Sequence, residues 1–132
     1  MDRATIQQKL EISQALFNEV SVHIRNRFYN TAINRLYYAC FYATQAMLLM
    51  LNLTPKTHKG VAQLLHKHFV NQGLFEKEKA EFFSDLLKER LEGDYGDFLI
   101  VDEEEIKDFL QPGKEYIEYI TKIVEDSLAQ ER

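Results

Sequence analysis

Ile6, Leu10, Ile12, Leu16, Phe17, Val20 and Ile24 recur at the spacings of a helix face, with polar residues between them. The pattern predicts a first helix over about Ala4 to Arg25, laid on a core by one side. Asn26 to Asn30 reads as a short connection. Thr31 to Leu51 is then apolar nearly all round, as expected for the central helix of a bundle. Leu36, Ala39, Ala43 and Ala46 or Met47 form one stripe of this second helix, and its small residues would let a neighbouring backbone approach. A second stripe, Asn34, Tyr38, Phe41 and Gln45, mixes amides with aromatic rings at spacings of four, three and four. It suits a dimer interface or a wet cleft, or an aromatic core with satisfied amides.

Punctuation divides the rest of the chain. Leu53 to Thr57 reads as a loop, with Thr57 placed to cap a third helix and Gly73 just beyond its end. Val61, Leu64, Leu65, Phe69 and His68 are expected to face inward. A fourth helix is predicted over about Glu76 to Glu92, with Gly93 as a left-handed stop. Asp102 and Glu105 have the spacing of a capping box that opens a fifth helix, and Pro112 is expected to kink or split it.

Few glycines, two prolines and an abundance of Leu, Ala, Glu, Lys and Gln make the predicted class all-α. At 132 residues with 45% apolar content, one domain covering 1–132 is expected. The single cysteine, Cys40, cannot form an internal disulfide, and the polar start MDRATIQQ lacks the form of a signal peptide. A cytoplasmic location is the expectation. Leu36 to Leu53 is interrupted by Thr44, Gln45 and Asn52, so a buried helix is expected there and no membrane span.

The net charge of −5 is unevenly spread. No Asp or Glu occurs between Val20 and Phe75, a segment that carries +6 from Arg25, Arg27, Arg35, Lys56, Lys59 and Lys67 and leaves the remainder at −11. All four histidines lie there too. Such a partition suits a surface that attracts phosphates or an acidic partner, or helices that neutralise the acidic fourth and fifth helices.

Standard catalytic signatures are missing: no GxSxG elbow, no P-loop glycines and no CxxC pair occur. His66 and His68 are two apart, so a helix points them in different directions; no metal and no cofactor is expected. Arg90 stands out instead. It follows Leu86 by four and Phe83 by seven, on the inward stripe of the fourth helix, where a guanidinium needs a partner. Asp94, Tyr95 and Asp97 follow on a glycine-containing stretch. Either Arg90 pairs internally with Asp94, or its fork addresses an external phosphate that Tyr95 and the carboxylates orient.

Three segments, "AINRLYYACFYATQAML" (Ala32 to Leu48), "PKTHKGVAQLLHKHFV" (Pro55 to Val70) and "RLEGDYGDF" (Arg90 to Phe98), together resemble the small prokaryotic HEPN proteins, named for higher eukaryote and prokaryote nucleotide binding. The resemblance runs in order from about Leu16 to Ile123. It implies an up-and-down bundle of four long helices with a C-terminal fifth, pairing as a homodimer whose cleft is lined by helices two and four. It also implies a minimal nucleotidyltransferase partner in a toxin–antitoxin pair, with the HEPN member cutting RNA without a metal. In such ribonucleases an arginine is followed, after four to six residues, by a histidine. Arg90 matches that arginine, whereas no histidine follows it anywhere in this chain. His58, at the start of helix three, is expected to cap or lie at the surface rather than replace it.

Three functional readings follow. The leading one is a homodimer that binds RNA or a nucleotide through Arg90, Asp94, Tyr95, Asp97, Asn34 and Tyr38, pairs through Tyr38, Phe41 and Gln45, and works with a nucleotidyltransferase partner. A second is an active metal-independent endoribonuclease toxin in which Arg90 acts with Tyr95 or Asp94. In the third the chain is a non-catalytic homodimeric interaction module and Arg90 only staples it.

Overall fold

The computed structural model describes residues 2–95 and 101–130, with side chains through Arg90 and again from Val101. Five α-helices are present: α1 (Arg3–Arg25), α2 (Tyr29–Leu49), α3 (His58–Leu65), α4 (Lys77–Tyr95) and α5 (Glu103–Gln130), with no strand among the described residues. A π-helical stretch, His66–Val70, carries the short α3 onward. The fold is an all-α bundle, as the periodicity predicted.

The centre of the bundle is α2, which touches α1, α3, α4 and α5. Its small-residue stripe explains why: Leu36, Ala39, Ala43, Ala46 and Met47 are all fully buried. On the facing helix, Ile6, Ser13 and Val20 are buried at seven-residue intervals, and the Ser13 hydroxyl donates to the Ala39 carbonyl at 2.6 Å. A hydroxyl meeting a main-chain oxygen across the interface requires the close helix approach that alanines allow. From α5, Ile106, Tyr116, Ile117, Ile120, Val124 and Leu128 complete the core, and Arg3 Nη1 donates to the Leu128 carbonyl at 2.9 Å.

Three connections share one device. After α1, Phe28 N–H reaches the His23 carbonyl and Arg27 N–H that of Ile24; after α2, Leu53 reaches Leu48 and Asn52 reaches Leu49; after the π-helical stretch, Leu74 reaches Phe69 and Gly73 reaches Val70. Each pair of bonds is a Schellman stop, with a left-handed residue at its pivot. The pivots are Arg27 (φ 62°), Asn52 (φ 58°) and Gly73 (φ 73°). Gly73 was anticipated. The non-glycine pivots were not, so α2 starts two residues earlier than expected and ends two earlier.

Both predicted helix starts hold. Thr57 Oγ1 accepts from Gly60 N–H at 2.9 Å, and Asp102 Oδ1 from Glu105 N–H at 2.9 Å. Two breakers leave their helices continuous, and only Gly93 departs from expectation by doing so. Gly93 is no stop, because α4 continues through it to Tyr95; a glycine ends a helix only where the chain after it leaves the helical track. Pro112 does not split α5. It faces solvent, and so does Asp108, whose carbonyl four residues back loses its usual donor and can turn to water.

Candidate functional site

At positions 37, 38 and 41, α2 carries three aromatic rings toward the start of α3 and the far part of α4. Tyr37 and Phe41 are buried and Tyr38 is half-buried. From α4, Phe83, Leu86 and Arg90 fall on one face, and the first two are fully buried. That face leads Arg90 to the rings. Its Nη2 donates to the Tyr38 hydroxyl at 2.7 Å, and its Cζ lies 5.1 Å from the centre of the Tyr38 ring and 5.6 Å from that of Tyr37. A guanidinium over two π faces is attracted electrostatically and keeps its fork in a fixed plane.

His58 enters the same cluster from α3. Because Thr57 supplies the cap, the imidazole turns inward: Nδ1 lies 2.8 Å from the Tyr37 hydroxyl, and the ring stands edge-on to Phe41 at 4.8 Å and to Tyr38 at 5.9 Å. This corrects the expectation of a capping or surface role. Burial pushes the Tyr37 hydroxyl well above the ordinary tyrosine range, and the nearby Arg90 charge opposes that shift only in part. The Tyr37 hydroxyl therefore stays protonated at neutral pH.

The remaining predicted residues are dispersed. Asn34 accepts from Arg35 Nη1 at 3.1 Å, and Gln45 accepts from Lys9 Nζ at 3.3 Å. Basic side chains thus engage both ends of the amide and aromatic stripe. Phe41 is already covered by its own chain at 8% exposure, so Asn34, Tyr38 and Gln45 are the parts of the stripe within reach of another molecule. The side chains of Asp94 and Tyr95, and all of Asp97, lie outside the described residues. So does the anticipated Arg90 to Asp94 pair. Arg35 faces Glu19 of α1 at 3.5 Å on the bundle surface, so part of the acid-free segment's charge is met within the chain. Among the described residues, no group of three or more His, Cys, Asp or Glu side chains could hold a metal ion, and no helix is long and apolar enough to cross a membrane.

The match of the family model for the HEPN domain spans residues 6–125. This chain belongs to the HEPN family. Among its relatives, a Thermotoga maritima protein named UPF0332 is 32% identical over 83% of each chain. A Methanocaldococcus jannaschii protein provisionally named a toxin is 29% identical over 96% of this chain and 93% of its own. A second M. jannaschii protein with the same kind of provisional name is 30% identical over 81% of this chain and 68% of its own. In this HEPN chain Arg90 stands within an aromatic cluster, and the nearby imidazole comes from a different helix. Sequence spacing gave no direct sign of that imidazole. The usable signal was Thr57, since a threonine cap leaves the next side chain free to turn toward the preceding helix.

Proposed function

We propose that this HEPN chain is a toxin-like module that binds RNA through Arg90, acts as a homodimer, and is controlled by a minimal nucleotidyltransferase partner. One observation carries the reading: a guanidinium oriented by the Tyr38 hydroxyl and by two ring faces, at the end of a helix face that is otherwise buried. Arginine's planar donor fork matches phosphate oxygens, and exposed parts of aromatic rings can stack on bases. The excess of Lys and Arg between Val20 and Phe75 would add attraction for a polyanion. Asp94, Tyr95, Asp97 and Asn34 are the remaining candidates for ligand contacts. Tyr38 and Gln45 offer the accessible part of a twofold interface to which Phe41 adds support from beneath.

Isothermal titration with single-stranded RNA and with nucleotides tests the ligand. Arg90→Ala is expected to weaken RNA binding by about tenfold or more, the loss of a charged hydrogen bond of roughly 1.5–3 kcal/mol; equal affinity in both proteins would refute the assignment. Tyr38→Glu should shift the molar mass measured by light scattering from dimer to monomer. Co-expression with a nucleotidyltransferase encoded beside the gene should relieve any growth arrest that the chain causes alone.

A further inference from the structure

Three arginines are engaged by their own chain: Arg3 with the Leu128 carbonyl, Arg35 with Glu19 and Arg90 with Tyr38. Arg25 and Arg27 make no ion pair or side-chain hydrogen bond with a described residue. Glu103 lies near enough to feel the Arg27 charge, but its carboxylate is bound to Lys107 at 2.8 Å. Both arginines stand exposed at the α1–α2 turn, beside a ring that is exposed as well: Phe28 is 60% accessible, and Val22, late in α1, 42%. The turn is not slack. Arg27 is its left-handed pivot, and Phe28 N–H is bound to the His23 carbonyl at 2.8 Å. The dipole of α1 accounts for cations in its last turn, but it gives no reason for a bare phenyl group. A groove of about 280 Å³ opens beside that ring, with Arg27, Phe28, Thr31 and Val101 among its walls. Val101 is held there by its N–H, which donates to the Asn30 side-chain oxygen at 3.2 Å. Small-ligand pockets begin at roughly 300 Å³, so the groove suits one planar group rather than a whole ligand. From it Thr31, Asn34 and Tyr38, all half-buried, climb one side of α2 at spacings of three and four and end at the Arg90 hydrogen bond. The climb is about 10 Å along the helix.

We propose that the α1–α2 turn is a second contact for single-stranded RNA: one base lies against the Phe28 ring at the groove, and Arg25 and Arg27 meet the phosphates beside it. The inference rests on the RNA-binding reading above and extends it along α2 to a place which that reading leaves out. Stacking on an exposed ring accepts any base, and cationic side chains next to the ring follow the backbone. A duplex keeps its base faces covered, so a single strand is the form that fits. No Asp or Glu occurs between Val20 and Phe75, so the segment that carries the turn and the Thr31 to Tyr38 stripe adds no repulsion of its own. An acidic protein would satisfy the arginines equally. A stable protein interface, however, buries about 800 Å² on each partner, and Val22 and Phe28 are the large apolar side chains exposed at this turn.

Fluorescence anisotropy of a labelled single-stranded RNA, measured with the full chain over a series of salt concentrations, tests the site. Phe28→Leu keeps the apolar bulk and removes the π face. It should weaken binding about tenfold, the scale of one lost stack, while Phe28→Tyr should bind as the wild type does. Arg27→Gly removes a charge and eases the left-handed pivot, so the fold is kept. Its binding should weaken, and the slope of log affinity against log salt should become shallower by about 0.7, the value for one phosphate contact on a single strand. A duplex of the same sequence should be indifferent to Phe28→Leu. Undiminished binding of the single strand by Phe28→Leu and Arg27→Gly, with Arg90→Ala weakened, would overturn the inference and leave the Arg90 reading intact. Weakening by Phe28→Leu with none by Arg90→Ala would overturn the Arg90 reading and leave the turn as the RNA site. A polyglutamate peptide that bound more tightly than RNA, with Phe28→Leu indifferent, would assign the turn to an acidic protein instead. Failure of the wild type to bind RNA would overturn both readings.

Discussion

Phe83 stacks with two tyrosines whose hydroxyls meet different fates. Tyr116, at 5.5 Å and 8°, sends its hydroxyl into a closed chain: it lies 2.7 Å from Thr44 Oγ1, which donates onward to the Cys40 carbonyl at 2.8 Å. Tyr37, at 5.8 Å and 12°, meets the half-buried His58 instead. One side of the stack ends in main chain and the other in an ionisable ring beside a cation. The difference teaches that equal burial does not fix a ring's surroundings: both tyrosines are fully buried, yet their hydroxyls end in different chemistry.

Removing the shared ring is the harshest way to break this comparison. Phe83→Ala should cost about 3–5 kcal/mol, the range for a large aromatic deleted from a packed core, read from the midpoint of urea unfolding, and should damage both tyrosine environments together. Alkali should act next, and on both sides, because burial raises the Tyr37 hydroxyl as well. Burial raises both Cys40 and Tyr116 above their ordinary values of 9.0 and 10.0, so the unfolded chain gives up these protons first. Stability is therefore whole below about pH 9 and falls above it by up to about 1.4 kcal/mol per pH unit for each group. Urea midpoints measured at rising pH should follow that decline, and Cys40→Ala should delay its onset toward the tyrosine value. The smallest effect sharpens the contrast most. Tyr116→Phe should lose about 1 kcal/mol, the net worth of a buried hydrogen bond, with RNA handling untouched; Tyr37→Phe should alter RNA handling for a smaller loss of stability. A variant pair that behaved alike in both assays would erase the distinction.

Much of the scaffold was legible in advance. The spacing from Ile6 to Ile24, the alanine stripe of α2 and the caps at Thr57 and Asp102 all follow from local rules, and local rules are what a sequence displays. Two of the three helix stops escaped notice because their pivots are Arg27 and Asn52: a left-handed arginine is held by the bonds around it, not by its own preference. Gly93 misled for the converse reason. At the candidate site, the face of α4 that carries Phe83, Leu86 and Arg90 was readable from its period of three and four. The meeting of Arg90 with Tyr38 depends on how α4 lies across α2. That of His58 with Tyr37 spans a separation of 21 residues and a loop, which no periodicity encodes.

The Pro112 and Gly113 pair in α5 has a consequence for how the chain assembles. Both residues are poor helix formers, and Gly113 is buried where an added Cβ would come within 2.7 Å of Leu36 Cδ1. Continuity of α5 at this point is borrowed from the surface it lies on, whereas α1 and α2 are joined by a short turn and pack on each other locally. The α1–α2 hairpin is therefore expected to form first and α5 to dock late. Substitutions at Gly113 should accordingly quicken unfolding while leaving the refolding rate almost unchanged.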